Sequence, residues 1–576
     1  MLIFNKDKQL IICFSVFLFI ILLRFCYLQI YKHQKYEDQA GANSVRKISL
    51  HAPRGIIFDR VGLPLADNLQ IYDFAVIPFD VTDEFNYSII SKELDLKVKD
   101  VRSAIETKKK SFYRFRPQTL KRHVNFKTRS RLEENKLDLP GMIFDEFPAR
   151  IYPSDARLTH VLGYLREVTD PLQKDVISDY KLGDIYGFSG VEKIYESLLR
   201  GKDGSEFHLV DIYGIDHGMV LDAPPISAIP GTSIQLTIDS KLQSFIEKLF
   251  NGKQGAIICM NPLNGQVLAL LSSPDYDLNS FVGPVPRDIW NRWNQDDGHP
   301  LLNRVIQGLY PPGSTMKLIA AALALDQKKV SSQWTINCTG AYTLGDRTFR
   351  CWKEEGHGDV DMHRAITSSC NVFFYKLIQK LSFDDWKDMA YGFGYGNKSG
   401  IDLYGEKAGN IPDTDYMNKK YGKFGWATGN LLSFVIGQGD ILVTPIQVVQ
   451  MMNLIASRGS TYAPSLNVNL PSNEFNLSLK SSTWDLLQNA LRDVVNHKNG
   501  TGKLAKVKGV NTFGKTGTAQ NPHGEDHSWF TGYIEVNDDP ILSLAVLVEN
   551  GGKGSIEATM ISGKIFEYAK KHSLFQ

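Results

Sequence analysis

A chain of 576 residues, 43% of them hydrophobic and 22% charged, has the composition of a globular protein and is too long for one ordinary core. It predicts about two or three domains. Lysine and arginine number 65 against 63 aspartates and glutamates, a formal net charge of +2, and nothing in that balance points to nucleic acid.

The first element is apolar. Leu10 to Leu23 carries no charge, Arg24 interrupts, and Phe25 to Ile30 resumes. That is roughly 21 positions, enough to cross a hydrocarbon core of ~30 Å, with Arg24 able to snorkel to the headgroups. A cleaved signal peptide is the rival. Ala40-Gly41-Ala42 resembles a cleavage site, but it lies past Lys32, Lys35 and Asp38, far beyond the apolar run. The sequence therefore predicts an uncleaved anchor over 10–30 behind a short tail, 1–9. Flanking charge does not fix its direction, because Lys6 and Lys8 precede the span while Arg24, Lys32 and Lys35 follow it.

A mixed region follows, 31–225. It contains Arg54-Gly55-Ile56-Ile57-Phe58-Asp59-Arg60 and Gly190-Val191-Glu192-Lys193. It also holds a basic stretch from Lys108-Lys109-Lys110 through Arg114, Arg116, Lys121, Arg122, Lys127, Arg129 and Arg131, which reads as a solvated face over a small core. Pro224-Pro225 and Pro230-Gly231 punctuate a linker. In the remainder, 226–576, Ser233 to Asp239 alternates like a strand and Ser240 to Phe250 has helical spacing. Gly255 to Met260 and Gln266 to Leu271 read as strands joined by a turn. Ile541 to Val548 reads as another strand and Ala558 to Lys571 as a closing helix. The expected class is α+β.

Three motifs in the second half carry chemistry. Ser314-Thr315-Met316-Lys317 follows Pro311-Pro312-Gly313 and opens a helix predicted to run to Lys329, apolar all round and so buried. Ser314 and Lys317 are three apart and share a face of its first turn. A serine there meets unpaired N–H groups and the positive end of the helix dipole. Lys317 acts as a base only when neutral, and burial near Lys515 would lower its pKa. Ser369-Cys370-Asn371 opens a second apolar helix. Alone it would be an ordinary N-cap; beside the first motif, Ser369 can shuttle a proton and Asn371 can hold an amide. Lys515-Thr516-Gly517-Thr518 lies on a strand after Thr512-Phe513. Lys515, Thr516 and Thr518 offer a cation and two hydroxyls to a carboxylate. Gly517 lets a substrate backbone approach the strand edge, and the Thr518 N–H with that of Ser314 would form an oxyanion hole. Ser44-Val45-Arg46-Lys47 also fits S-x-x-K, so one motif is worthless, but S-x-x-K, S-x-N and K-T-G in this order mark enzymes that form an acyl-enzyme on serine.

With these motifs the chain resembles the class B penicillin-binding proteins, monofunctional D,D-transpeptidases of bacterial cell-wall synthesis, and within them the penicillin-binding protein 2 group of the elongation machinery. The likeness extends to the anchor, the two phrases of the mixed region, Asn303-Arg304, Ile436-Gly437-Gln438-Gly439, Thr444-Pro445-Ile446-Gln447 and Trp529-Phe530. It implies a transmembrane helix, an elongated pedestal and a penicillin-binding domain whose central antiparallel sheet is flanked by helices. It implies an inner-membrane protein with its catalytic domain in the periplasm. Ser314 would be acylated by a D-Ala-D-Ala stem peptide of peptidoglycan, in cell elongation and shape maintenance, and trapped by β-lactams. The implied partners are a SEDS-family glycosyltransferase and other elongation-complex proteins. No organic cofactor is implied. One departure is Cys370, where the usual motif has aspartate.

Cys338, Cys351, His357 and Cys370 fall between the first motif and the end of the second. Three thiolates and an imidazole suit tetrahedral zinc. A Cys338–Cys351 disulfide and buried free thiols are the alternatives on residue types. The resemblance implies zinc: some relatives hold it in this insertion through two aspartates, a histidine and a cysteine. Cys351, His357 and Cys370 match three of those positions, and Cys338 matches the fourth with a small length difference. Such a zinc would be structural.

Rival functions use the same motifs. A D,D-carboxypeptidase or β-lactamase would take water as acceptor, and no deacylating glutamate stands out. A β-lactam-sensing receptor needs a cytoplasmic effector, and little precedes the span. A division-specific transpeptidase shares every motif.

Overall fold

The computed structural model describes residues 6–33, 45–169, 180, 183–210, 216–220, 223–282, 285–470, 472–522 and 524–572. The Ala40-Gly41-Ala42 segment, Ser44 and the first five residues of the tail lie outside them. An α-helix, Lys6–Cys26, continues as a π-helical turn, Tyr27–Tyr31. Within it the 22 residues Leu10–Tyr31 contain an 18-residue window of mean hydropathy 2.6, none of it buried. That is length and apolarity enough for a single membrane-spanning anchor. The Arg24 guanidinium and the Lys32 ammonium lie 5.4 and 5.9 Å from the Tyr27 ring, a cation–aromatic cluster suited to a membrane interface.

The chain divides into two compact units. The first comprises 1–54, 68–149 and 200–231. In it Val45–Leu50 pairs with Gly204–Val210, which pairs with Asp216–Met219, all antiparallel. The strand ending at Val76 pairs with Gln118–Val124. Helices Val98–Lys109 and Phe126–Glu134 bury Val101, Ile105 and Leu132 with Phe74, Val76, Ile90 and Val124. The basic stretch lies over this core. Arg129 pairs with Glu146 at 2.6 Å and lies over the Tyr72 ring, Arg131 pairs with Glu93, and Arg122 with Asp73.

The second unit comprises 55–67, 150–199 and 232–576. Its five-stranded antiparallel sheet runs Val267–Ser273, Gly255–Met260, Asp539–Val548, His527–Val536, Asn511–Ala519. Alternation explains why Gly255–Met260 is buried at every position. Ala256, Ile258 and Met260 join the core built with helices Met316–Asp326 and Pro445–Ala456. Ile257 and Cys259 face the other way, onto helices Ser240–Leu249 and Glu557–Lys571. The strand carrying the Lys-Thr-Gly motif is the sheet's edge, which leaves one row of backbone groups for other partners.

Two sequence expectations change here. The strand expected over 233–239 is only Ile234–Gln235. The chain leaves the sheet because the Thr237 hydroxyl bonds Val267 O and Ser465 O, and Asp239 turns to cap the next helix through Lys241 N and Leu242 N. The helix expected over 314–329 opens as a 3₁₀ turn, Gly313–Thr315, before the α-helix Met316–Asp326.

The two phrases of the mixed region meet. Glu192 is fully buried and takes a 2.6 Å bond from Arg150 Nε, while Arg150 Nη1 donates to Gly55 O at 2.9 Å. A Cβ on Gly55 would lie 2.0 Å from Thr232 O. Glycine is therefore required there, and breaking so buried an ion pair costs about 3–5 kcal/mol.

Candidate active site

The residues before Ser314 are braced from the end of the sheet at which the Lys515–Thr518 motif also ends. Glu549, at the end of the strand Asp539–Val548, accepts from Arg304 Nε at 2.8 Å and Tyr310 Oη at 2.6 Å. Trp529 Nε1 donates to Pro311 O at 3.1 Å. Thr315 bonds back to Pro312 O at 2.9 Å and lies 3.3 Å from Tyr395 Oη. Ser314 is thereby held, half-buried, in a 3₁₀ turn, and Lys317 follows one turn on.

Lys317 is completely buried, and its Nζ meets Ser369 O at 2.9 Å, Ser369 Oγ at 3.1 Å and Asn371 Oδ1 at 2.7 Å. Burial holds its pKa down to about 8, against the upward pull of Cys351 and Cys370. Lys515 is also completely buried. Its Nζ lies 3.0 Å from Ser369 Oγ and 2.9 Å from Thr516 O. Burial, then the charge of Lys317, pushes its pKa well below the ordinary lysine range. The first and third motifs thus converge on the hydroxyl of the second. Ser369 itself has φ +53°, a left-handed conformation costly for a non-glycine residue. It is retained by contacts on both sides: its carbonyl accepts from Lys317 and, at 3.1 Å, from Trp352 Nε1.

On the motif strand, Thr516 Oγ1 lies 2.7 Å from Thr501 Oγ1, and Thr518 Oγ1 accepts from Gly554 N at 3.1 Å. A Cβ on Gly517 would lie 3.0 Å from Trp529 Cβ and 3.1 Å from Pro312 O. The protein's own packing therefore leaves little room for a side chain there, a reason the sequence does not disclose. Thr501, Tyr395 and Trp352 were not read from the sequence. Thr501 and Tyr395 belong to no motif, and Trp352 has only its place beside Cys351 as a signal.

Cys338, Cys351, His357 and Cys370 come together with one ligand atom each, all within 4.8 Å of one another. His357 Nδ1 is 3.6 Å from both Cys338 Sγ and Cys351 Sγ. A tetrahedron with metal–sulfur bonds of about 2.3 Å and a metal–nitrogen bond of about 2.0–2.1 Å has a nitrogen–sulfur edge of about 3.6 Å, so the donor set fits. All three cysteines are free, with no disulfide among them. A hydrogen bond with Cys370 holds the Cys351 thiol far below the ordinary thiol range, and the same bond raises Cys370. Trp352 packs on the His357 ring at 5.3 Å. Cys370 is both a member of the cluster and the N-cap position of helix Asn371–Ile378, so the cluster is covalently part of the second motif.

A fold with a serine turn, two buried lysines and a shared hydroxyl at the sheet's edge is that of the penicillin-interacting acyl-serine enzymes. The family description "Penicillin binding protein transpeptidase domain" matches residues 255–567, and "Penicillin-binding Protein dimerisation domain" matches 49–236. The chain belongs to the penicillin-binding protein transpeptidase family. It is 32% identical to the peptidoglycan D,D-transpeptidase MrdA of Salmonella typhimurium, over 97% of this chain and 94% of that protein. To MrdA of Escherichia coli K12 it is 30% identical, over 93% and 89%. Among solved structures it is similar to penicillin-binding protein 2 of Helicobacter pylori in complex with MreC. There the TM-score is 0.79 and the identity 29%, over 91% of this chain and all of that one (100%). It is also similar to a chain of a peptidoglycan synthase complex that coordinates polymerization and crosslinking, with TM-score 0.73 and 27% identity over 98% of both chains.

Proposed function

We propose that this protein is a serine D,D-transpeptidase that cross-links peptidoglycan stem peptides during cell elongation. The observation that carries it is the Ser369 hydroxyl, held 3.1 Å from Lys317 Nζ and 3.0 Å from Lys515 Nζ beside the Ser314 turn. Neutral Lys317 takes the Ser314 proton as Oγ attacks the carbonyl between the two terminal D-alanines. The N–H groups of Ser314 and Thr518 receive the oxyanion. The proton passes through Ser369 to the departing D-alanine, and Asn371 orients the substrate amide. Lys515, with Thr516 and Thr518, binds the terminal carboxylate, and Gly517 lets the peptide approach the strand edge. An amine of a neighbouring strand then attacks the Ser314 ester by the reverse path. A β-lactam acylates the same serine, but its leaving nitrogen stays tethered, so the adduct persists.

The chain divides, on this reading, into a tail, 1–9, an anchor, 10–30, a pedestal, 31–225, and a catalytic domain, 226–576, in the periplasm. The MrdA relatives and the two complexes support an elongation assembly; a SEDS-family glycosyltransferase is the partner proposed within it. Cys338, Cys351, His357 and Cys370 would hold one structural zinc, which supplies a rigid tetrahedral node and no step of the reaction. Incubation with penicillin and peptide mass mapping tests the central assignment. One adduct on the Ser314 peptide is expected, and hydrolysis of that adduct within seconds would favour a β-lactamase instead.

A further inference from the structure

Gln438 lies outside all three motifs, yet it joins two of them. Its Nε2 donates to Thr518 O at 3.0 Å, and its Oε1 accepts from Gln520 N at 3.3 Å. One primary amide thus takes two backbone groups on the same edge of the motif strand, as a neighbouring strand would. The preceding residue grips the other side. Gly437 O accepts from Gly313 N at 3.0 Å, and a Cβ on Gly437, whose φ is +73°, would lie 2.1 Å from Gly313 O. Gly313 has φ +58°, and a Cβ on it would lie 2.8 Å from Thr518 O. Three backbone segments therefore meet with no side chain between them: the turn before Ser314, the end of helix Thr428–Val435, and the strand at Thr518.

We propose that Gln438 is a positioning residue that sets the separation of the Ser314 and Thr518 N–H groups, and so the geometry of the oxyanion hole. This rests on the acyl-serine reading above. Gly437 fixes the turn and Gln438 fixes the strand, and because they are adjacent residues the two grips cannot drift apart. An unpaired edge could slide or twist. Hydrogen-bond donors stabilise an oxyanion only when they are already placed where its charge develops. Loss of the amide should therefore slow bond formation more than it weakens initial binding.

The test is stopped-flow acylation of the full-length protein by a fluorescent penicillin, separating the non-covalent dissociation constant from the acylation rate constant. Wild type, Gln438→Met and Gln438→Glu are compared. Methionine keeps the volume without the hydrogen bonds. Glutamate can still accept from Gln520 N but cannot donate to Thr518 O. Both variants should lose about tenfold to a hundredfold in the acylation rate constant, with the dissociation constant within about twofold and the melting temperature essentially kept. An unchanged rate constant, or a loss confined to the dissociation constant, in either folded variant overturns the proposal. If Gln438→Met does not fold, Gln438→Glu decides by the same criteria. A wild type that is not acylated on Ser314 at all would instead remove the reading beneath it.

Discussion

Lys317 and Lys515 place their side-chain nitrogens on one hydroxyl, that of Ser369, at 3.1 and 3.0 Å, and neither lysine has any exposed surface. Two buried ammonium groups so close, without a carboxylate between them, repel each other strongly. That repulsion, added to burial, favours the neutral form of Lys515. With Lys317 neutral, its lone pair can accept the Ser369 proton while Lys515 donates to the same oxygen. The neutral-Lys317 form of the site is thus set for proton transfer before substrate arrives.

The rate of acylation should therefore follow the neutral fraction of Lys317. Its pKa is lowered to about 8, so the neutral form grows as pH rises. The acylation rate should climb about tenfold per pH unit well below 8 and level off above it. Stopped-flow acylation from pH 6 to 10 measures this. A rate that falls through pH 8 as pH increases would mean that Lys317 acts as an acid.

A ligand carboxylate supplies the countercharge that Lys515 lacks. Since burial and Lys317 depress its pKa, binding a penicillin should draw a proton onto Lys515. Calorimetry of Ser314→Ala with penicillin, in buffers of different ionisation enthalpy, should show net proton uptake near neutral pH. Lys515→Ala should abolish that uptake and slow wild-type acylation by about 1.5–3 kcal/mol of lost charge-assisted contact.

Ser369→Ala removes the hydroxyl but leaves both lysines, the Ser369 carbonyl's partners and the backbone turn. Acylation should fall about 10²–10⁴-fold, the usual worth of a positioned proton shuttle, while the melting temperature changes little. A fall of less than about threefold would show that protons reach the leaving group by another route.

The cysteine–histidine cluster should carry about one zinc per chain, measurable by elemental analysis of the purified protein. Cys351→Ser or His357→Ala should lower metal content, melting temperature and acylation rate together, because Cys370 lies inside the second motif. Metal-free protein with full acylation and an oxidised Cys338–Cys351 pair, two mass units lighter, would contradict the zinc assignment.

The motifs were legible because their chemistry needs particular residue types at fixed helical or strand spacing. Ser314 and Lys317 share a helical turn, and Lys515 to Thr518 share a strand. The four cluster residues were legible by their ligand chemistry. What stayed hidden depends on segments far apart in sequence. Gln438 reaches Thr518 across 80 residues, and Trp352 reaches the Ser369 carbonyl through one indole N–H. The left-handed Ser369 leaves no trace in composition, since serine rarely adopts that conformation and is held there by its neighbours. The strand expected over 233–239 failed because alternation does not register that Asp239 caps a helix.

The central claim is that Ser314 is the acyl-forming serine. Its most direct measurement is intact and peptide mass spectrometry of the full-length protein after penicillin treatment, for wild type, Ser314→Ala and Ser369→Ala. One adduct, mapped to the Ser314 peptide in wild type, slowed in Ser369→Ala and absent from Ser314→Ala, is the result expected. An adduct retained by Ser314→Ala, or mapped to any other residue, would contradict it.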